Sequence, residues 1–540
     1  MPHASAPADL DLRDRDSLFD VLGAEVFDLA IIGGGITGAG IARDAAMRGL
    51  KVALVEARDF ASGTSSRSSK MIHGGLRYLA QGDLALVREA ASERKIVEAI
   101  APHLARLTPF VMPVSNPGTE AKLRAGLWTF EKLGAVPKDR HHEVWSKSEV
   151  EAREPAIETK GLTGAVVYPE YLTDDARLTL ANVRSAAAAG ARVVNYARVD
   201  AVALEGGKAV GLDISDTLPG GEARRTRVRA RVIVNAAGPW VDAVRALEAP
   251  DADSRLALAR GVHMVVPKAR LPVDRTVIMP AADKRSVFAV PKGAVTYIGT
   301  TDTFHPEPQA WPPITPQDVD YLLAAAARRF RTPRLGVDDI VALWSGVRPL
   351  VAQEGKSASD ISRKDELWTG PAGILSIAGG KLTAYRQMAE RAVDLVETAL
   401  GRKPSASRTA DEPLPGGDAA PAAVKAALIS AGLTEVASDR LVGLYGGEAS
   451  SVAANGGGPA VEAARAVLQE GALTLEDYWA RRSARAWFDP DAGMGALDTA
   501  AAAMAPLLGW SPDRAADEIA RCRAQHAGDL AGLREAAPVG

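Results

Sequence analysis

Short apolar runs separated by glycine turns set the pattern of this chain. Residues 27–32 are almost wholly apolar and end in Gly33, Gly34 and Gly35. A stretch rich in Ala and Ile then runs to Met47 and stops at Gly49, and residues 51–56 form a second run of strand type. That order predicts a strand–helix–strand unit, the opening of a doubly wound parallel sheet. Residues 84–107 read as one helix, with Arg88, Glu89, Glu93, Arg94, Lys95 and Glu98 offset from the apolar positions. Residues 175–189 read as another, closed by Gly190.

The period then shortens. Residues 199–204 and 209–214 flank Gly206 and Gly207 and predict a β-hairpin. Arg227, Arg229 and Arg231 alternate with Val228, Ala230 and Val232, as on a strand with one wet face. An apolar strand at 232–234 runs into a tight turn at 235–240, and 287–290 and 295–300 are further strands. Strands in succession predict a mainly antiparallel sheet, an α+β module beside the α/β unit. Residues 374–377 return to a short apolar strand. Gly379, Gly380, Lys381 and a helix from 382 to about 400 then repeat the opening design. Residues 404–421 are rich in Pro, Gly and Asp and read as a linker, and the remainder is Ala-rich and helical.

With 540 residues, 47% hydrophobic and 24% charged, the chain is an ordinary globular protein of two to four domains. Disorder, collagen and coiled coil are excluded. A net charge of −3 gives no nucleic-acid footprint for the chain as a whole. The single cysteine, Cys522, excludes an intramolecular disulfide and any multi-cysteine metal site, which suits a reducing compartment. No apolar run reaches the ~18 residues of a membrane span, and the first 26 residues lack the apolar core of a secretory signal.

Gly33, Gly35 and Gly38 fit G-x-G-x-x-G between a strand and a helix. The first makes the turn, the second lets backbone approach a pyrophosphate, and the third lets helix and strand pack closely. The phosphates would sit on free N–H groups at the helix N-terminus. Glu56, ending the next strand, would accept hydrogen bonds from a ribose 2′-OH and repel a 2′-phosphate, which disfavours NADP. Thr64, Ser65, Ser66, Ser68 and Ser69 then pack hydroxyls into one segment ahead of His73, and small-residue turns recur at 235–238 and 379–383. One nicotinamide dinucleotide has no need of three such turns, whereas a stretched FAD does.

The runs 31–40 and 64–78 resemble the FAD-dependent glycerol-3-phosphate dehydrogenases, respiratory enzymes within the D-amino-acid-oxidase-like flavoproteins. The resemblance continues through 174–178, 235–240, 263–267, 298–302, 345–350 and 379–386, in the family's order. It implies a Rossmann-like FAD-binding domain assembled from 27–110, 160–240 and 340–403. An antiparallel-sheet substrate domain would follow from 111–159 and 241–339, with a linker at 404–420 and a C-terminal helical domain at 421–540. Residues 1–26 form an N-terminal extension without a family counterpart. The residues expected to hold FAD are Gly33, Gly35, Ile36, Thr37, Gly38, Glu56, Thr64, Ser65, Ser68, Ser69, Lys70, His73, Gly74, Val199, Ala237, Gly238, Gly380, Lys381, Leu382 and Thr383.

The implied reaction is oxidation of sn-glycerol 3-phosphate to dihydroxyacetone phosphate, with hydride leaving C2 for flavin N5 and electrons passing to membrane quinone. A phosphate dianion suits guanidinium, whose planar fork binds two oxygens. Arg77 and Arg348, in turns bounded by Gly or Pro, are expected in the substrate pocket, with Arg363 as a third cation and Tyr78 and Thr383 as hydrogen-bonding partners. His263, in an otherwise apolar strand, is the expected base. Lys381 would stabilise the developing alkoxide or the anionic reduced flavin, and Arg348 counts with His263 and Lys381 among the catalytic groups. His141 and His142 lack acidic or cysteine partners at ligand spacing, so no metal is expected.

Residues 121–133 mix Leu, Trp and Phe with Lys and Arg, the composition of an in-plane interfacial helix. That composition equally suits a helix packed on its own domain, but the water-insoluble quinone that the resemblance implies makes peripheral attachment to the cytoplasmic face of the inner membrane the expectation. The competing expectation is an oxidase with the same pocket that hands its electrons to oxygen as peroxide. Whether a second copy of the chain joins it in a homodimer is left open.

Overall fold

A computed structural model describes residues 9–73, 84–283, 285–331, 333–353, 355, 361 and 364–534. Two sheets organise them. The eight-stranded sheet runs Glu366–Thr369, Leu375–Ala378, Arg225–Asn235, Val26–Ile32, Val52–Val55, Arg192–Val194, with the hairpin Ala197–Glu205 and Lys208–Asp216 joined antiparallel to Arg225–Asn235. Its central pairs are parallel. Both faces are covered over residues 29–32, 52–55 and 232–235, which explains why those stretches are apolar without alternation, while Arg227, Arg229 and Arg231 keep the wet face expected of them. Leu29 and Ile31 pack under helices Ile36–Met47, Asp175–Ala188 and Tyr385–Ala399, while Phe27, Ala30 and Ile32 belong to the opposite layer.

The ten-stranded sheet is antiparallel except where Thr276–Pro280 pairs with Arg106–Val114. The helix expected across 84–107 stops at Ile100, and Arg106–Val114 is a strand of this sheet. Pro102 explains the break, since the residue before a proline is driven out of the helical region. Arg348, expected in a turn, lies within the strand Ala342–Val351, paired along its length with Leu256–Pro267. That pairing joins residues far apart in sequence, which no local pattern reveals.

The C-terminal helices share a core with this second sheet, where Val265, Tyr297 and Trp344 meet Trp479, Trp487 and Met504. Near the N-terminus, Leu10 bridges to Glu470 and Arg15–Ala24 forms a helix. The architecture is a mixed α/β fold with a nucleotide-type parallel sheet, a second largely antiparallel sheet and C-terminal helices.

Candidate functional site

The nucleotide turn is built as its glycines require. Gly33 has φ +110°, and a Cβ there would lie 2.7 Å from Ala236 O. A Cβ on Gly38 would overlap the carbonyl oxygen of Gly33, so helix and strand approach as closely as the motif predicts. Gly35 caps the Ile36–Met47 helix, and Ser65 Oγ already accepts the N–H of Ile36 at 2.9 Å. Glu56 accepts from the N–H of Gly34 at 2.7 Å and of Arg58 at 2.9 Å, which brings its carboxylate to the glycine turn.

A cavity of about 1890 Å³ opens along this turn. Its wall includes Gly33, Gly35, Ile36, Thr37, Glu56, Thr64, Ser65, Ser68, Ser69, His73, Val199, Ala237, Gly238, Arg348, Gly380, Lys381, Leu382 and Thr383, so most of the expected residues converge there. Gly379 and Gly380 take φ +77° and +78°, a conformation glycine adopts without strain, and present Lys381 to the cavity. Thr383 Oγ1 donates to His73 O at 3.2 Å, tying the turn to the serine segment. Lys70 stands behind the wall, its ammonium 2.6 Å from Asp175, which also accepts from Ser68 Oγ at 2.7 Å. Gly74, Arg77, Tyr78 and Arg363 lie outside the described residues.

The floor of the cavity comes from strand register. His263 faces Trp344, Gly261 faces Gly346, and Ala259 faces Arg348. Residues directly opposite share a face, as do residues two apart. One face therefore carries imidazole, two glycines and guanidinium in succession, and both glycines line the cavity. Neighbouring chain packs directly on both glycines: a Cβ on Gly261 would lie 2.5 Å from Arg348 Nη2, and one on Gly346 2.7 Å from Arg67 Cβ.

His263 is buried, stacked on Trp344 at 4.7 Å between centroids, with Nε2 2.9 Å from Ser69 Oγ. Nδ1 has no hydrogen-bond partner among the described residues. Burial, with the nearby charges of Arg348 and Lys70, holds the imidazole well below its ordinary pKa, so it is neutral at physiological pH. Arg348 Nη1 meets Asp302 at 2.6 Å, and Arg285 donates to the carbonyl of Asp302 at 2.9 Å while lining the same cavity.

Arg285, Asp302, Gly261, Gly346 and Arg67 were not singled out by their sequence. Only the register of the Leu256–Pro267 and Ala342–Val351 pair reveals the glycine floor. The histidine pair does have an acidic neighbour: Glu131 lies 2.8 Å from His142 Nδ1, eleven residues away and across a turn.

A family described as "FAD dependent oxidoreductase" matches residues 28–386. The chain belongs to that family. A second family, described as "C-terminal domain of alpha-glycerophosphate oxidase", matches residues 407–515. The chain is 39% identical over 503 residues to the aerobic glycerol-3-phosphate dehydrogenase of Bacillus subtilis (strain 168), covering 88% of this chain and 90% of the relative. It is 43% identical over 390 residues to the enzyme of that name from Staphylococcus aureus (strain MRSA252), covering 72% and 70%. The solved glycerol-3-phosphate dehydrogenase of Bacillus halodurans, complexed with FAD, superposes with a TM-score of 0.79 at 31% identity, covering 97% of this chain and 99% of that one.

This flavoprotein has the features its cofactor needs. At the helix N-terminus Gly35 carries no side chain, and Ser65 Oγ holds the N–H of Ile36 where a diphosphate would approach. Glu56 lies beside the same turn, and the lining of the same cavity includes both Val199 and Lys381. FAD fits the residues present.

Proposed function

We propose that this FAD-dependent oxidoreductase oxidises sn-glycerol 3-phosphate to dihydroxyacetone phosphate and delivers the electrons to membrane quinone. The observation that carries the reading is the strand pair that sets the Arg348 guanidinium on the cavity wall and, on the same face, the neutral imidazole of His263 behind Ser69. The names of the relatives supply the substrate, and the floor has the chemistry that substrate needs.

Gly33, Gly35, Ile36 and Thr37 would hold the diphosphate, Glu56 the ribose, and the serine segment with Gly380, Lys381 and Leu382 the remainder of the cofactor. Bound FAD supplies the hydride acceptor at N5 for the hydrogen of C2. Arg348, oriented by Asp302, takes the phosphate, with Arg77 and Arg363 proposed beside it. His263 takes the proton of the C2 hydroxyl. Ser69, and not His263, lines the cavity, so the proton reaches Nε2 by way of Ser69 Oγ. Lys381 lends positive charge to the oxygen as it loses its proton.

Attachment to the cytoplasmic face of the inner membrane fits the helix Pro117–Leu133. Trp128 is 58% exposed there, Lys122, Arg124 and Lys132 stand on the same outer surface, and Leu123 reaches the cavity wall. Among the described residues no helix is long and apolar enough to cross a membrane. A second reading, an oxidase that returns peroxide, has the match of residues 407–515 in its favour.

Turnover of glycerol 3-phosphate under argon with a short-chain quinone, and its failure with glycerol, would support the dehydrogenase reading. Stoichiometric peroxide in air with no quinone activity would select the oxidase. Flotation with anionic vesicles tests the membrane arm, and protein that stays at the bottom counts against it.

A further inference from the structure

Arg285 ends the tight turn between the strands Thr276–Pro280 and Ser286–Lys292, where Ala281 donates its N–H to the carbonyl of Arg285 at 2.8 Å. Its side chain lines the same cavity as Arg348 and stays partly open to solvent. Two hydrogen bonds pin the guanidinium: Nε donates to Asp283 Oδ2 at 2.6 Å, and Nη1 to the carbonyl of Asp302 at 2.9 Å. Asp283 also accepts the hydroxyl of Tyr321 at 3.0 Å, from the helix Pro316–Arg329. The guanidinium lies 5.0 Å from the centroid of that tyrosine ring. Nη2 makes no hydrogen bond among the described residues and is not enclosed.

Asp302 links this cation to the one proposed for the phosphate. Its carbonyl takes Arg285, and its carboxylate takes Arg348 Nη1 at 2.6 Å, while Arg348 Nη2 reaches Thr300 Oγ1 at 3.3 Å. One residue therefore sets both guanidinium groups on one wall. Asp283 and Asp302 hold the two side chains in place, so little further entropy is lost when an oxyanion binds them. Folding alone does not account for the arrangement. An ion pair as open as Arg285 with Asp283, at 29% and 42% exposure, contributes little to stability. A phosphate group offers more acceptor sites than one guanidinium fills, and Arg285 has N–H groups to spare.

We propose that Arg285 is a second phosphate-binding residue of the cavity, donating from Nη2 to the phosphate that Arg348 also holds. The proposal rests on the reading of glycerol 3-phosphate as substrate and adds a specificity determinant to it. Arg285 favours a phosphorylated alcohol over the same alcohol without its phosphate.

The test uses the purified holoenzyme and the variants Arg285→Met and Arg285→Gln. Methionine keeps an apolar stem beside Tyr321 and removes every side-chain N–H, whereas glutamine keeps an amide donor and removes the charge. Two sets of constants are compared. One is KM and kcat for glycerol 3-phosphate, and the other is the dissociation constant of inorganic phosphate, taken from the phosphate-induced rise in Tm. For Arg285→Met, a lost charge-assisted contact predicts a rise of about 10–100-fold in both KM and the phosphate constant. The value of kcat should stay close to wild type, since a contact made equally to substrate and transition state affects KM alone.

Arg285→Gln should move both constants the same way, and it decides the matter if Arg285→Met does not fold. The proposal is overturned if inorganic phosphate fails to stabilise the wild type, or if the folded variants keep its phosphate constant, whatever happens to kcat or Tm. Failure of the substrate reading shows elsewhere. A wild-type flavin that glycerol 3-phosphate does not bleach sinks that reading, while the phosphate titration still judges Arg285.

Discussion

The nucleotide turn and the C-terminal helices wall the same cavity by opposite means. At the turn the contacts come from backbone: Gly33, Gly35 and Gly38 clear space, and one carboxylate, Glu56, accepts the N–H groups of Gly34 and Arg58. The C-terminal wall is held by buried charge. Asp59, beneath the serine segment, receives Arg481 Nε at 2.5 Å and both terminal nitrogens of Arg482 at 2.5 and 2.8 Å, across more than four hundred residues of chain. Arg177 meets Glu470 at 2.7 Å in the same region. Backbone recognition marks its residues with the one amino acid that permits it. Charge recognition spreads its partners over distant segments and leaves no local mark.

That contrast can be broken from either side. The largest expected effect is at the turn: Gly35→Val should yield folded apo protein, because a branched side chain fills the diphosphate's approach. Stoichiometric FAD in that variant, measured by absorbance after denaturation, would show that the backbone is not the reader. On the charged side, Asp59→Ala strands the buried guanidinium of Arg482, while Arg481 keeps Glu476 and Asp477, and should cost ~3–5 kcal/mol in chemical denaturation. A loss below 1 kcal/mol would mean that water solvates Arg482.

The floor combines the two modes and gives intermediate effects. His263→Ala should lower kcat by about 10²–10⁴-fold with FAD retained, the range for loss of a general base. Because the imidazole is held well below its usual pKa, activity should stay flat from pH 8 to below 6.5 in the wild type. An acid limb centred near 6.5 would contradict the burial argument. Arg348→Ala should raise KM about 10–100-fold, as expected for loss of a charge-assisted contact of ~1.5–3 kcal/mol, with the flavin spectrum unchanged.

The smallest effect is on stability against pH. Burial pushes His103 down to about 3 from an ordinary 6.5, so between those values the unfolded chain binds a proton that the fold does not. Stability should therefore fall as pH drops through that window, by at most ~1.4 kcal/mol per pH unit from this one group. His103→Asn should flatten the slope in denaturant titrations at pH 4, 5 and 6.

The sequence carried the parallel unit, the hairpin, the three glycine turns and most of the cavity lining, because each rests on residues close together or on glycines whose conformation is unusual. It misread the end of the helix at Ile100, where Pro102 outweighs the helical pattern, and it put Arg348 in a turn. The pairing of Gly261 with Gly346, the bond from His263 to Ser69 and the meeting of Arg285 and Arg348 at Asp302 all depend on strand register or on contacts between remote segments. A pattern along one strand fixes which face a residue occupies, but not what stands opposite.

Reduction of the bound flavin in the absence of air tests the central reading most directly. Added sn-glycerol 3-phosphate should bleach the oxidised flavin band of the purified protein within the mixing time, while glycerol and amino acids at equal concentration leave it unchanged. A band that persists with glycerol 3-phosphate, or that glycerol bleaches equally well, would contradict the assignment of this cavity to a phosphorylated alcohol.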